Sequence, residues 1–119
     1  MTINLDDATK AHVDWKTKFR VAIHKQDTMD AATIAKDNCC ELGKWLHGEA
    51  KTRHSEVAAY PVLVTRHAAF HVEAGKIAAL VNAKKFAEAE LALQGDTPYG
   101  KASQSVGQAI LQMRKETGL

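Results

Sequence analysis

Proline occurs only at positions 61 and 98, and neither Gly nor Ser gathers into a low-complexity tract. No flexible linker therefore divides the 119 residues, and a single domain over 1–119 is expected. The two cysteines, Cys39 and Cys40, are neighbours. They cannot staple distant segments together, which excludes a disulfide scaffold and leaves both to be read as thiols. Charge of one sign is lacking too: 16 Lys and Arg face 14 Asp and Glu, and no stretch concentrates enough positive charge to bind phosphates. A nucleic-acid partner is not expected. The longest apolar runs, such as 58–64 around Pro61, fall far short of the ~20 residues that cross a bilayer. The start, Met1 to Asp7, lacks the basic and apolar regions of a secretory signal, so a cytoplasmic setting without membrane contact is expected.

The catalytic signatures are missing as well. There is no His-Glu-x-x-His, no Gly-x-Ser-x-Gly and no Gly-rich phosphate loop, and an enzyme is not expected. Glu-x-x-His pairs, which a di-iron bundle needs, are absent, as is Cys-x-x-Cys-His for covalent haem.

What is present is helical periodicity. From Leu5 onward Ala8, Trp15, Phe19, Ala22 and Ile23 recur at spacings of three, four or seven, which predicts a helix over 5–26 with one buried face. Asn4 is placed to cap it, and Asp6 and Asp7 complement its positive end. Residues 27–37 read as connector. Asn38, followed three places later by Glu41, resembles a capping box and predicts a short helix with Cys40 in its first turn and Gly48 at its end. The polar stretch 49–56 reads as connection. Pro61 suits the first turn of a helix over 61–82, whose inward face carries Leu63, His67, Phe70, His71, Ala74, Ile77 and Val81. A brief helix over 85–94 ends at Gly95, and Thr97-Pro98 opens a last helix over 98–116. No alternating β-branched segment is long enough for a sheet. The expected fold is all-α: a four-helix bundle with a short additional helix carrying Cys40.

The histidines at 12, 67 and 71 interrupt stripes that must face inward. An imidazole withdrawn from water without a partner costs about 1 to 3 kcal/mol, so three together call for a shared explanation. His67 and His71 stand one helical turn apart on one face, and both rings can converge on one ion. Pairs at this spacing arise readily by chance among six histidines, so this one gains weight only with further ligands. Cys40 is the natural companion, since a place in a helix first turn favours the thiolate that binds metal. His12 completes four nitrogen and sulfur donors, the usual complement of tetrahedral zinc. Trp15, Phe19, Trp45 and Phe70 read as packing that keeps water out, and Gly43 as a point of close backbone approach to another helix. His24, His47 and His54 read as solvated or capping residues, and Cys39 as a small packing side chain, with a resolving thiol as its rival role.

His12-Val13-Asp14-Trp15, Cys40-Glu41-Leu42-Gly43-Lys44-Trp45 and His67-Ala68-Ala69-Phe70-His71 together resemble the signature of the chemoreceptor zinc-binding domain family. The intervals agree, with 24 residues between Trp15 and Cys40 and 21 between Trp45 and His67. The resemblance implies a cytoplasmic helical bundle, a homodimer, that binds zinc through His12, Cys40, His67 and His71. It also implies a regulatory role beside a chemoreceptor or a cyclase making a cyclic dinucleotide, in cis or in trans, with zinc or the oxidation state of the cysteine as input. The competing expectation is a purely structural zinc-stabilised bundle that mediates dimerisation. Two features depart from the family pattern: the 119 residues contain no output domain, and Cys39 sets a second thiol beside the expected ligand.

Overall fold

The computed structural model describes residues 3–119. Met1 and Thr2, at the head of the segment read above for a targeting signal, lie outside the described residues. Seven helical segments follow one another, with no strand among the described residues. They are α1 (Leu5–Lys25), α2 (Ala31–Ile34), α3 (Glu41–His47), α4 (Glu49–Arg53), α5 (Ala59–Asn82), α6 (Phe86–Ala92) and α7 (Pro98–Thr117).

The long helices begin where their caps allow. Asn4 accepts the Asp7 N–H at 3.0 Å at the head of α1, and Thr97 accepts the Gly100 N–H at 3.1 Å at the head of α7, where Pro98 is the first helical residue. Each bond satisfies a backbone donor that the first turn would otherwise leave unpaired. Helix α5 starts at Ala59, two residues earlier than Pro61 suggests, and Ala58 has no side chain to cap it. Glu116 of α7 supplies the acceptor, 3.0 Å from the Ala59 N–H, so a long-range contact sets a boundary that local sequence does not mark.

Helices α1, α5 and α7 pack against one another, and the short α6 touches all three, completing the four-helix bundle. Phe19, Leu63, Phe70, Val106, Ile110 and Met113 are fully buried at its centre. Burying each such side chain stabilises the fold by about 1.5–3 kcal/mol relative to leaving it in water. The short α3 lies against α1 and carries Cys40 at its head.

Two stretches expected to be irregular contain helix. Asp30 accepts the Thr33 N–H at 3.2 Å and starts the single turn α2 within 27–37. Within 49–56, α4 follows directly on Gly48 and buries Ala50. The start of α3 is also corrected. Cys40, not Asn38, is its N-cap, with extended backbone angles and its Sγ 3.3 Å from the Gly43 N–H it accepts. Cys40 therefore stands just outside the first turn rather than in it.

Gly43 makes the expected close approach, but to the connector rather than to a helix: a Cβ there would collide with the Asp37 carbonyl. Gly75 does the same for α2, because a Cβ would lie 2.6 Å from the Ala35 Cβ. Gly75→Ala is expected to lower stability by about 1–3 kcal/mol through overpacking. Gly107→Ala, in α7 with no neighbour to meet, is expected to raise it by up to about 1 kcal/mol. Urea unfolding of the two variants beside the parent chain measures both.

Candidate metal centre

The three inward-facing histidines reach one place by different routes. His12 is carried by α1, and His67 and His71 lie one turn apart on α5; all three are buried. Cys40 arrives from the head of α3 and is half-buried. One donor atom from each of the four lies within 4.8 Å of the others. His67 Nε2 stands 3.1 Å from His12 Nε2 and 3.0 Å from His71 Nε2. Cys40 Sγ stands 3.2 Å from His67 Nε2, 3.6 Å from His71 Nε2 and 4.0 Å from His12 Nε2.

Zinc bond lengths of about 2.0–2.1 Å to nitrogen and about 2.3 Å to sulfur place tetrahedral donors roughly 3.4 Å apart for two nitrogens and about 3.6 Å for nitrogen and sulfur. Five of the six separations lie within about 0.4 Å of those values, and the sixth, between His12 and His71, stays within 4.8 Å. Donor set and spacing therefore fit one tetrahedral ion.

Hydrogen bonds aim the rings. His12 Nδ1–H donates to the Ala8 carbonyl at 2.7 Å, one turn back on its own helix, and His71 Nδ1–H donates to the Ile34 carbonyl of α2 at 2.8 Å. With the proton on Nδ1, each Nε2 presents a lone pair to the cluster centre. A neutral His67 has one ring proton, and its Nε2 faces three neighbours, His12, His71 and Cys40. A shared cation satisfies all the inward lone pairs at once. His67 Nδ1 itself has no partner among the described residues.

Electrostatics prepares the imidazoles as ligands. Burial and the neighbouring imidazoles of His71 and His12 hold His67 down to about 3. Burial also lowers His12 and His71, although each has a carbonyl acceptor that works the other way. All three are neutral near pH 7, the form that coordinates metal. Cys40 behaves differently from expectation. Burial raises its thiol pKa and outweighs the Gly43 and Leu42 N–H groups, while Asp37 adds to the rise. Position at a helix start does not make this thiolate; a coordinated cation would.

Phe70 packs edge-on against both His12 and His71, with ring centroids 5.2 and 5.4 Å apart, and shields the inner side. Phe19 and Trp45 are buried, while Trp15 is half-buried and tilts against Phe19. On the outer side a cavity of about 370 Å³, lined by Asn4, Ala8, Ala11, Glu41 and Leu42, reaches His12 and Cys40 from between the starts of α1 and α3.

The remaining histidines stay out of the cluster. His24 is exposed, and His54 caps the end of α4 beside Trp45. His47, exposed, pairs with Asp37 at 3.1 Å and ties α3 to the connector. Sequence reasoning missed that pair, because ten residues and a bend separate its members, and missed the Ile34 carbonyl, because a backbone acceptor has no residue signature. Gly75 was the available signal for the second: a glycine inside a long helical stretch points to close packing.

No helix among the described residues is long and apolar enough to cross a membrane. The sequence model of the chemoreceptor zinc-binding domain matches residues 12–78, a span that begins at His12 and includes Cys40, His67 and His71. That is more than half of the chain, and the chain belongs to this family of zinc-binding domains. No curated protein and no solved structure matches it.

Binding to the folded state alone stabilises it by about 2.7 kcal/mol when free ligand is a hundred times the dissociation constant. Stripping zinc with a chelator is accordingly expected to lower the melting midpoint on the order of 10 °C, with recovery when zinc is restored. Differential scanning calorimetry at fixed protein concentration reads the shift.

Proposed function

We propose that this zinc-binding domain is a cytoplasmic bacterial regulatory module in which His12, Cys40, His67 and His71 hold one zinc ion and Cys40 is the responsive ligand. The observation that carries this reading is the convergence of one sulfur and three Nε2 atoms from three separate segments on a site of tetrahedral size. Four protein donors close the shell, whereas catalytic zinc sites keep a position open, so the role proposed is regulatory.

When bound, the ion supplies the positive charge that keeps Cys40 a thiolate and joins α1, α5 and the head of α3. Cys40 is the soft, oxidisable donor of the set. It borders the outer cavity, so a small peroxide has a path to it. Attack of the thiolate on hydrogen peroxide forms the S–O bond and breaks the O–O bond, giving sulfenic acid and hydroxide. The anionic donor is then gone, and the remaining imidazoles bind more weakly. Low zinc availability empties the same site without oxidation.

The residues around Cys40 turn that loss into movement. Cys40 ends a connector that α5 holds through the Ile34 carbonyl on His71 and that α3 holds through Asp37 and His47. Releasing the sulfur removes the bond that draws the head of α3 toward α1 and α5, and short packed elements then shift as a unit. The proposed output is a chemotaxis receptor or a cyclase making a cyclic dinucleotide, in cis or in trans, reached through a homodimer.

A structural zinc bundle remains the second reading, favoured by the same closed four-donor shell. Metal analysis should find about one zinc per chain. Cys40→Ala should retain markedly less zinc, whereas Cys39→Ala should match the parent. Hydrogen peroxide should release the zinc and a reductant should restore binding. A site indifferent to peroxide supports the structural reading, and failure to bind zinc at all overturns both.

A further inference from the structure

Cys39 is the feature that the zinc site leaves unused. It is exposed, so it does not fill the packing role that a free cysteine most often takes. Its thiol donates to the Asn38 Oδ1 at 3.5 Å. It borders an open hollow of about 600 Å³ between the connector and α5, formed with Asp37, Asn38, Ala68 and Val72, whereas Cys40 borders the cavity on the other side of the metal centre. The two neighbouring thiols are thus served by different solvent approaches.

Cys39 and Cys40 lie in the bend that precedes α3, outside its backbone ladder. The Cys40 carbonyl, by contrast, accepts the Lys44 N–H at 2.9 Å and anchors the far side. Rotation of the peptide unit joining the cysteines does not break the α3 ladder.

We propose that Cys39 is the resolving thiol of Cys40: after Cys40 is oxidised, the two close a vicinal disulfide that keeps the sulfur off the metal and can be reopened by reductant. This inference rests on the reading of Cys40 as an oxidisable ligand. The Cys39 thiol attacks the sulfur of the Cys40 sulfenic acid, the S–S bond forms, and the S–O bond breaks with release of water. Hydrogen peroxide takes up the two electrons removed from the pair of thiols. A sulfur in a disulfide has no thiolate charge to offer, so ring closure and metal ligation exclude each other.

Adjacent α-carbons sit about 3.8 Å apart, closer than the 4.4–6.8 Å usual for bridged cysteines. The ring is therefore strained, and strained, exposed disulfides are the readily reduced ones. Speed of capture has a second benefit, since a sulfenic acid that meets no thiol proceeds to sulfinic acid, which ordinary reductants do not reverse.

The test uses the full zinc-loaded chain. After limited hydrogen peroxide and blocking with iodoacetamide, trypsin cleaves after Lys36 and Lys44 and releases one peptide holding both cysteines. Mass spectrometry should find that peptide unblocked and lighter than the dithiol by two hydrogens, with zinc released and dithiothreitol restoring both thiols and zinc binding. In Cys39→Ser and Cys39→Ala, Cys40 should accumulate as sulfinic acid, and the fraction of zinc binding recovered should fall at least about threefold. Zinc release without the intrachain disulfide, with the parent recovering no better than the Cys39 variants, overturns this inference alone. So does a disulfide that joins two chains on a non-reducing gel. Zinc retained with Cys40 unmodified overturns the redox reading together with it.

Discussion

Three imidazoles buried in one core are the constraint around which this molecule is arranged. Each costs free energy when withdrawn from water, and a single cation takes up all their inward lone pairs at once. The fold answers by bringing a sulfur to the same point. His12, His67 and His71 come from two long helices of the bundle, and Cys40 comes from the head of α3, a short helix that packs Leu42, Trp45 and Leu46 into the same core. The site thus joins two long helices of the bundle to the connector and α3.

That division explains why neutral imidazoles and a reluctant thiol belong together. Burial pushes the histidines toward the form that coordinates and pushes the cysteine away from it. A core with these groups and no cation holds uncharged donors facing one another. With the cation, the least compatible member becomes the strongest donor. In the proposed reading, the dependence of the sulfur on the ion it helps to hold makes Cys40 the point of failure.

Much of this was legible in the residues because helical periodicity carries it. The 3.6-residue repeat located α1, α5 and α7 to within a few positions, since their inward stripes are long. The same repeat exposed the odd histidines. His12, His67 and His71 stood out as polar groups on faces that otherwise pack, and the structure brings all three to Cys40. The short elements were not legible. A single turn such as α2 has no period to read, and its start depends on the Asp30 side chain folding back. The capping pattern of Asn38 and Glu41 places Cys40 in the first turn, yet the connector reaches two residues further and Cys40 is itself the cap. The thiol's chemistry is not that of a helix first turn, since at the half-buried Cys40 desolvation outweighs the N–H groups of the helix start.

The ring of His12 is aimed by its own helix, whereas the ring of His71 is aimed by a carbonyl from another element. The Ile34 carbonyl comes within reach because Gly75, one turn beyond His71, presents no side chain to Ala35. A residue that never meets the ion therefore governs how firmly one of its donors is oriented. Affinity in such a domain is adjustable from the groove between α2 and α5, by the bulk at a single backbone position, while the four donors stay unchanged.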